Sequence, residues 1–221
     1  MSRPICSPLD PNCWRYQSLN RQCPVTGEEE CKCKYEMITP LPSTLKDTLR
    51  KLFSDHAVWT YLYIITEVLK TPNLSSVTER LLQNQKDIGM AVASIYGQTV
   101  GHELTRLLTD HILLASAVVK MAINVHNRAA SQTDLNHKLD QLFVNSGETS
   151  RAIASLNPSE LPYDVVVTHF DEHNQYVVNL ATMYINGQYQ EAIKEYDCYY
   201  NHMLVLSDLI TYGVEKALLN P

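Results

Sequence analysis

Glycine is scarce in this chain, at 7 of 221 residues. The Gly-rich loops that cradle phosphates, the Ser-centred nucleophile elbow and the H-E-x-x-H zinc motif are all missing. Each absence removes a common class of enzyme. A basic surplus is missing too: 18 Lys and Arg stand against 24 Asp and Glu, a formal charge of −6. Nucleic-acid-binding surfaces are usually basic, so no nucleic-acid partner is expected. No uninterrupted run of about 18 apolar residues occurs. The longest lies in residues 112–121 and is broken by Ser116 and Lys120, so no membrane span is expected. Near the N-terminus, Pro8, Asp10 and Asn12 stand where a secretory signal carries an apolar stretch. These features point to the cytoplasm, or to a particle assembled there, such as a virion. Strand-like alternation is absent as well: residues 165–169 look extended but run on into helical spacing.

What is present divides into two parts. Hydrophobic residues make up 45% of the chain, enough to fill a core. The first 42 residues read differently. They hold five of the six cysteines (Cys6, Cys13, Cys23, Cys31, Cys33) and six of the ten prolines (Pro4, Pro8, Pro11, Pro24, Pro40, Pro42). Five basic and five acidic residues leave this segment neutral, so it is no electrostatic tail. Three states suit it. It is a reduced irregular tail, a disulfide-stapled arm, or a zinc site using Cys23, Cys31 and Cys33, although that spacing is not the paired C-x₂-C of a zinc ribbon. The expected organisation is a non-helical Cys/Pro-rich arm over 1–42 and a helical domain over 43–221.

From residue 43 the pattern is helical. Breaks at Thr71-Pro72, Tyr96-Gly97, residues 127–133, Asn157-Pro158 and Asn186-Gly187 predict helices over 43–70, 74–95, 99–126, 132–156, 161–186 and 188–218. Ser43 and Thr99 are the expected N-caps of the first and third. A repeat links these helices. In the odd ones, Phe53, Leu108 and Phe170 each precede by three residues His56, His111 and His173, with an acid just before the histidine. In the even ones, Leu82, Phe143 and Tyr199 each precede by two residues Asn84, Asn145 and Asn201. The fold expected is an all-α, six-helix up-down bundle of three repeated helical hairpins stacked on one core.

Mid-helix positions in such a bundle share one height. His56, Asn84, Asp87, His111, Asn145, Glu148, His173, Asn201 and His202 would then form one polar layer. Gly89 and Gly147 beside it suggest close helix approach. His169 lies one turn before His173 and either joins the layer or packs beside it. His102, His126 and His137 sit near helix ends and are expected to be solvated. Three chemistries suit the layer. Its groups can hydrogen-bond one another and fix the packing. His56, Asp87, His111, Glu148 and His173 can bind zinc or another transition metal, although the Glu-x-x-His of two-iron carboxylate bundles is missing. His111 with Glu148 can act as a catalytic acid/base pair.

Several motifs in combination resemble a known family. They are Asp55-His56 with Trp59 and Thr60, Leu81 to Asn84 with Asp87 and Gly89, Tyr96-Gly97, Asp110-His111, Asn157-Pro158, Glu172-His173, and Tyr196-Asp197 with His202 and Asp208. Residues 45–215 resemble a family of small helical proteins common in spore-forming soil bacteria, with similar sequences in large DNA viruses. Some members carry the names glycosyltransferase or acetylglutamate kinase. This sequence lacks the nucleotide- and sugar-binding features those names require. Family members tend to have Trp-Tyr before the fourth-helix Asn, where this chain has Leu142-Phe143. The resemblance implies a compact helical protein with no established activity. The expectation is a non-enzymatic structural or interaction protein, a particle-assembly component that meets protein partners through its cysteine arm and needs no cofactor. The alternative is a metal-dependent bundle using the polar layer.

Overall fold

The computed structural model describes residues 44–219, which form six helices and no strand. They are α1 (Leu45–Val68), α2 (Leu74–Tyr96), α3 (Gln98–His126), α4 (Gln132–Ala154), α5 (Tyr163–Ile185) and α6 (Tyr189–Leu219). The expectations for the arm, its limits and Cys6, Cys13, Cys23, Cys31 and Cys33 lie outside the described residues.

The helix starts follow local chemistry. Thr44 and Ser131 each cap a helix through a side-chain oxygen that accepts the backbone N–H three residues on. The carboxylates of Asp47 and Asp134 reach back to the cap N–H, completing two capping boxes. Thr44, not the expected Ser43, therefore opens α1. α3 does not begin at Thr99 either. Gly97 alone joins α2 to α3, with φ of 88°, a conformation that side chains disfavour.

Consecutive helices pack in pairs, and α1 also packs on α6, so the six close into a ring. The odd helices α1, α3 and α5 touch one another as well. They form a central trio, with each even helix seated between two odd ones. Phe53, Leu104, Leu108, Phe170, Tyr199 and Leu206 are among the buried residues where these faces meet. Polar interruptions hide one feature of α3. Averaged over 18 residues, α3 reaches a mean hydropathy of 1.4, long and apolar enough to cross a membrane on length and composition. Here α3 packs against α1, α2, α4 and α5, and 28% of that window is buried.

Close approach occurs where α2 crosses α3. A Cβ on Gly89 would strike the Thr105 side chain and lie 2.7 Å from the Gly101 carbonyl. A Cβ on Gly101 would strike Ala93 and the Gly89 carbonyl. Gly147 is looser: its nearest obstacle is the Tyr163 hydroxyl at 3.3 Å. Helix propensity alone predicts that Gly101→Ala stabilises by about 1 kcal/mol. The clash with backbone reverses the sign, and overpacking of this kind costs roughly 1–3 kcal/mol. Urea unfolding should show Gly101→Ala destabilised; a more stable variant would refute the close crossing.

Candidate functional site

Each central helix carries one histidine to the middle of the bundle. His56, His111 and His173 are 6%, 2% and 4% exposed. The His56 and His173 ring centroids lie 5.4 Å apart, and those of His111 and His173 lie 5.7 Å apart. The odd-helix half of the expected layer is thus assembled.

The even helices answer with a repeated hydrogen bond. Asn84 Nδ2 donates to the Leu52 carbonyl at 3.0 Å, and Asn145 Nδ2 to the Leu107 carbonyl at 3.2 Å. Each carbonyl lies four residues before a layer histidine. In the third hairpin the equivalent carbonyl is that of His169, and His202 Nε2 meets it at 3.0 Å. The third copy of the motif is therefore centred on His202. Buried Leu81, Leu142 and Tyr199 each stand three residues before these donors. Asn201 is one position out of register and exposed.

The next residue of each even helix completes the layer. Gln85 Nε2 lies 3.2 Å from His56 Nδ1, Met203 Sδ lies 3.2 Å from His173 Nδ1, and Ser146 Oγ accepts from Asn174 Nδ2 at 2.7 Å. His111 Nδ1 lies 2.8 Å from Asn145 Oδ1. The tautomers follow from the amides. Asn145 presents its oxygen to His111, so His111 Nδ1 carries the proton and donates. Gln85 presents its nitrogen to His56, so His56 Nδ1 accepts and its Nε2–H points to Thr60 Oγ1, at 3.4 Å. Asn174 lies against His111 without a well-formed hydrogen bond, leaving His111 Nε2 and Asn174 Oδ1 unpartnered. Gln85, Ser146, Asn174 and Met203 were not expected in the layer. Their signal is positional: three of them directly follow the carbonyl-binding residue.

Both expected carboxylates lie elsewhere. Asp87 is held by Gln83 at 2.9 Å and Arg80 at 3.4 Å, and Glu148 is exposed. Helical angles give the reason. The buried positions are the donor and its successor, then the same pair one turn on: Asn84, Gln85, Ile88 and Gly89, and Asn145, Ser146, Thr149 and Ser150. At about 100° per residue, a position three beyond the donor points roughly 130° away from the centre of that face. The metal set His56, Asp87, His111, Glu148 and His173 is not brought together, and His111 and Glu148 form no acid/base pair.

Burial sets the electrostatics. It pushes His56 down to about 4, with His111 adding to the effect, and it lowers His111 and His173. All three are neutral at pH 7. They wall a cavity of about 40 Å³ whose other sides are aliphatic and aromatic, among them Phe53, Leu108, Ile153 and Leu206. That is room for about one or two water molecules. His102, His126 and His137 are exposed, as expected.

A second cluster stands beside the layer. His169 and Glu172 share a face of α5, one turn apart, and His202 reaches them from α6. Glu172 Oε2 lies 3.7 Å from His169 Nδ1 and 3.5 Å from His202 Nδ1. One ligand atom from each of the three residues can be chosen so that all lie within 4.8 Å of one another. Burial also lowers His202, which is neutral at pH 7. Of these three, Glu172 was not among the residues expected at the layer.

No family model, curated protein or solved structure matches this chain.

Proposed function

We propose that this protein is a non-enzymatic structural or interaction module, with the bundle as a rigid body and the cysteine-rich arm as its docking element. The observation that carries this reading is the direction of the layer. Its histidines face one another and the bundle's own amides, and the acids that would make them a metal or acid/base centre point away. A layer built this way holds six helices in register, a role attested for buried polar residues in other bundles. The arm, with five cysteines, suits covalent or metal-bridged attachment to a protein partner. The resemblance to sequences of large DNA viruses supports a place in an assembled particle, in the cytoplasm where such a particle forms.

The test is made on the full chain. Replacing the five arm cysteines with serine should release the protein from its assembly, read by sedimentation of cross-linked complexes. The cooperative melt of the bundle should stay unchanged, because its apolar faces belong to α1–α6. A chain without its arm cysteines that stays fully associated would contradict the docking role.

A further inference from the structure

We propose that His169, Glu172 and His202 form a binding site for a zinc-class divalent cation on the third hairpin. The site is independent of the assembly role, and either can exist without the other.

The third hairpin departs from the other two at these positions. Where it has His169, the first two have Leu52 and Leu107; where it has His202, they have Asn84 and Asn145. An amide suffices to bind the carbonyl four residues before the layer histidine, as both asparagines show. The imidazole of His202 makes the same bond through Nε2 and gains a second nitrogen. That bond also sets the tautomer. Nε2 carries the proton, so Nδ1 offers a bare lone pair, 3.5 Å from Glu172. A ring N–H held by a backbone carbonyl is the usual support of a metal-binding histidine.

The other two residues fit the same purpose. His169 Nδ1 is shielded from solvent and has no hydrogen-bond partner among the described residues. Glu172 meets no lysine or arginine among them. Its counterparts do: Asp55 pairs with Lys51 at 2.6 Å, and Asp110 with Arg106 at 2.9 Å. The geometry is close to that of a coordination sphere. Ligands about 2.0–2.1 Å from a tetrahedral ion are roughly 3.4 Å apart, against 3.5 and 3.7 Å for the two His–Glu separations here and at most 4.8 Å across the whole set, so a small side-chain shift closes it on the ion. Two imidazole nitrogens and a carboxylate oxygen suit Zn²⁺ and its first-row neighbours. The Glu172 side chain is 56% exposed, so the remaining position opens to water.

The experiment uses the full chain, stripped with a chelator and titrated with Zn²⁺ alone. Four forms are compared: wild type, His169→Leu, His202→Asn and Glu172→Gln. The first two substitutions install residues that the other hairpins carry at these positions. Glu172→Gln alters only an exposed group and keeps the test open if either of those misfolds. Zinc taken by the cysteines is common to all four. The wild type should bind one more equivalent than each variant, or bind it at least about tenfold more tightly. Co²⁺ at this site should give d–d absorption that the variants lack. Equal uptake and equal affinity in all four forms would overturn the proposal.

Discussion

Lowering the pH from 7 to 4 should destabilise the bundle by roughly 3 kcal/mol or more. His56 has an ordinary value of 6.5 when unfolded and about 4 when buried. The unfolded chain therefore binds more protons in this window, and stability falls as pH falls below 6.5. Each such histidine withdraws about 1.4 kcal/mol per pH unit. His56 alone accounts for roughly 3 kcal/mol by pH 4. His111 is lowered for the same reason and steepens the slope. No carboxylate reaches these rings to compensate. The groups against them are Thr60, Asn84, Gln85, Asn145, Phe170 and Asn174, besides the third layer ring, His173. The capping carboxylates of Asp47 and Asp134 are held low and exert their effect at lower pH. Urea unfolding at fixed pH values from 7.5 to 4.5 measures the slope, and His56→Gln should reduce it by about one proton. A stability that is flat from pH 7 to 5 would contradict the buried neutral layer.

The second large effect is expected from Asn145→Ala. This side chain accepts from His111 Nδ1 at 2.8 Å and donates to the Leu107 carbonyl at 3.2 Å. Truncation strands the buried imidazole N–H, removes the second bond and leaves a gap. The sum is about 2–4 kcal/mol. Asn201→Ala should change stability by less than about 0.5 kcal/mol, because Asn201 is exposed and out of register. His202→Asn should be tolerated, since asparagine fills that place in the other hairpins. Thermal or urea unfolding of the three variants checks the order. Equal losses at Asn145 and Asn201 would restore the alignment centred on Asn201.

The helices were legible because their breaks carry strong local signals: Thr71-Pro72, Gly97, Asn157-Pro158 and Gly187. The odd-helix histidines were legible because an acid and a large apolar residue recur at constant spacing before each. The even helices misled for a reason of geometry. Asn84, Asn145 and Asn201 share a residue type, but a one-residue shift turns a helix position by about 100°. Structural equivalence follows the hydrogen bond to the carbonyl, which histidine makes as well as asparagine. Asp87 and Glu148 were placed in the layer because a three-residue step stays on the same side of a helix. The buried face, however, is centred between the donor and its successor, which puts both acids on its flank. Gln85, Ser146 and Met203 differ in residue type, so their shared position after the carbonyl-binding residue shows only once that residue is placed, and Asn174 is identified by packing alone. The Glu172 cluster is hidden for a related cause: its neighbour His173 carries the repeated motif, and the two side chains point different ways.

The layer is neutral and closes on itself, and the proposed cation site lies apart from it on the third hairpin. Imidazole ¹⁵N NMR of the full chain tests this directly, recorded from pH 7.5 downward with and without added Zn²⁺. The account predicts that His56 and His111 stay neutral, each as a single tautomer, until the chain unfolds. It predicts no zinc-induced shift at these rings, and shifts at His169 and His202. Titration of His56 or His111 near 6.5 in the folded protein, or zinc coordination by either ring, would contradict it.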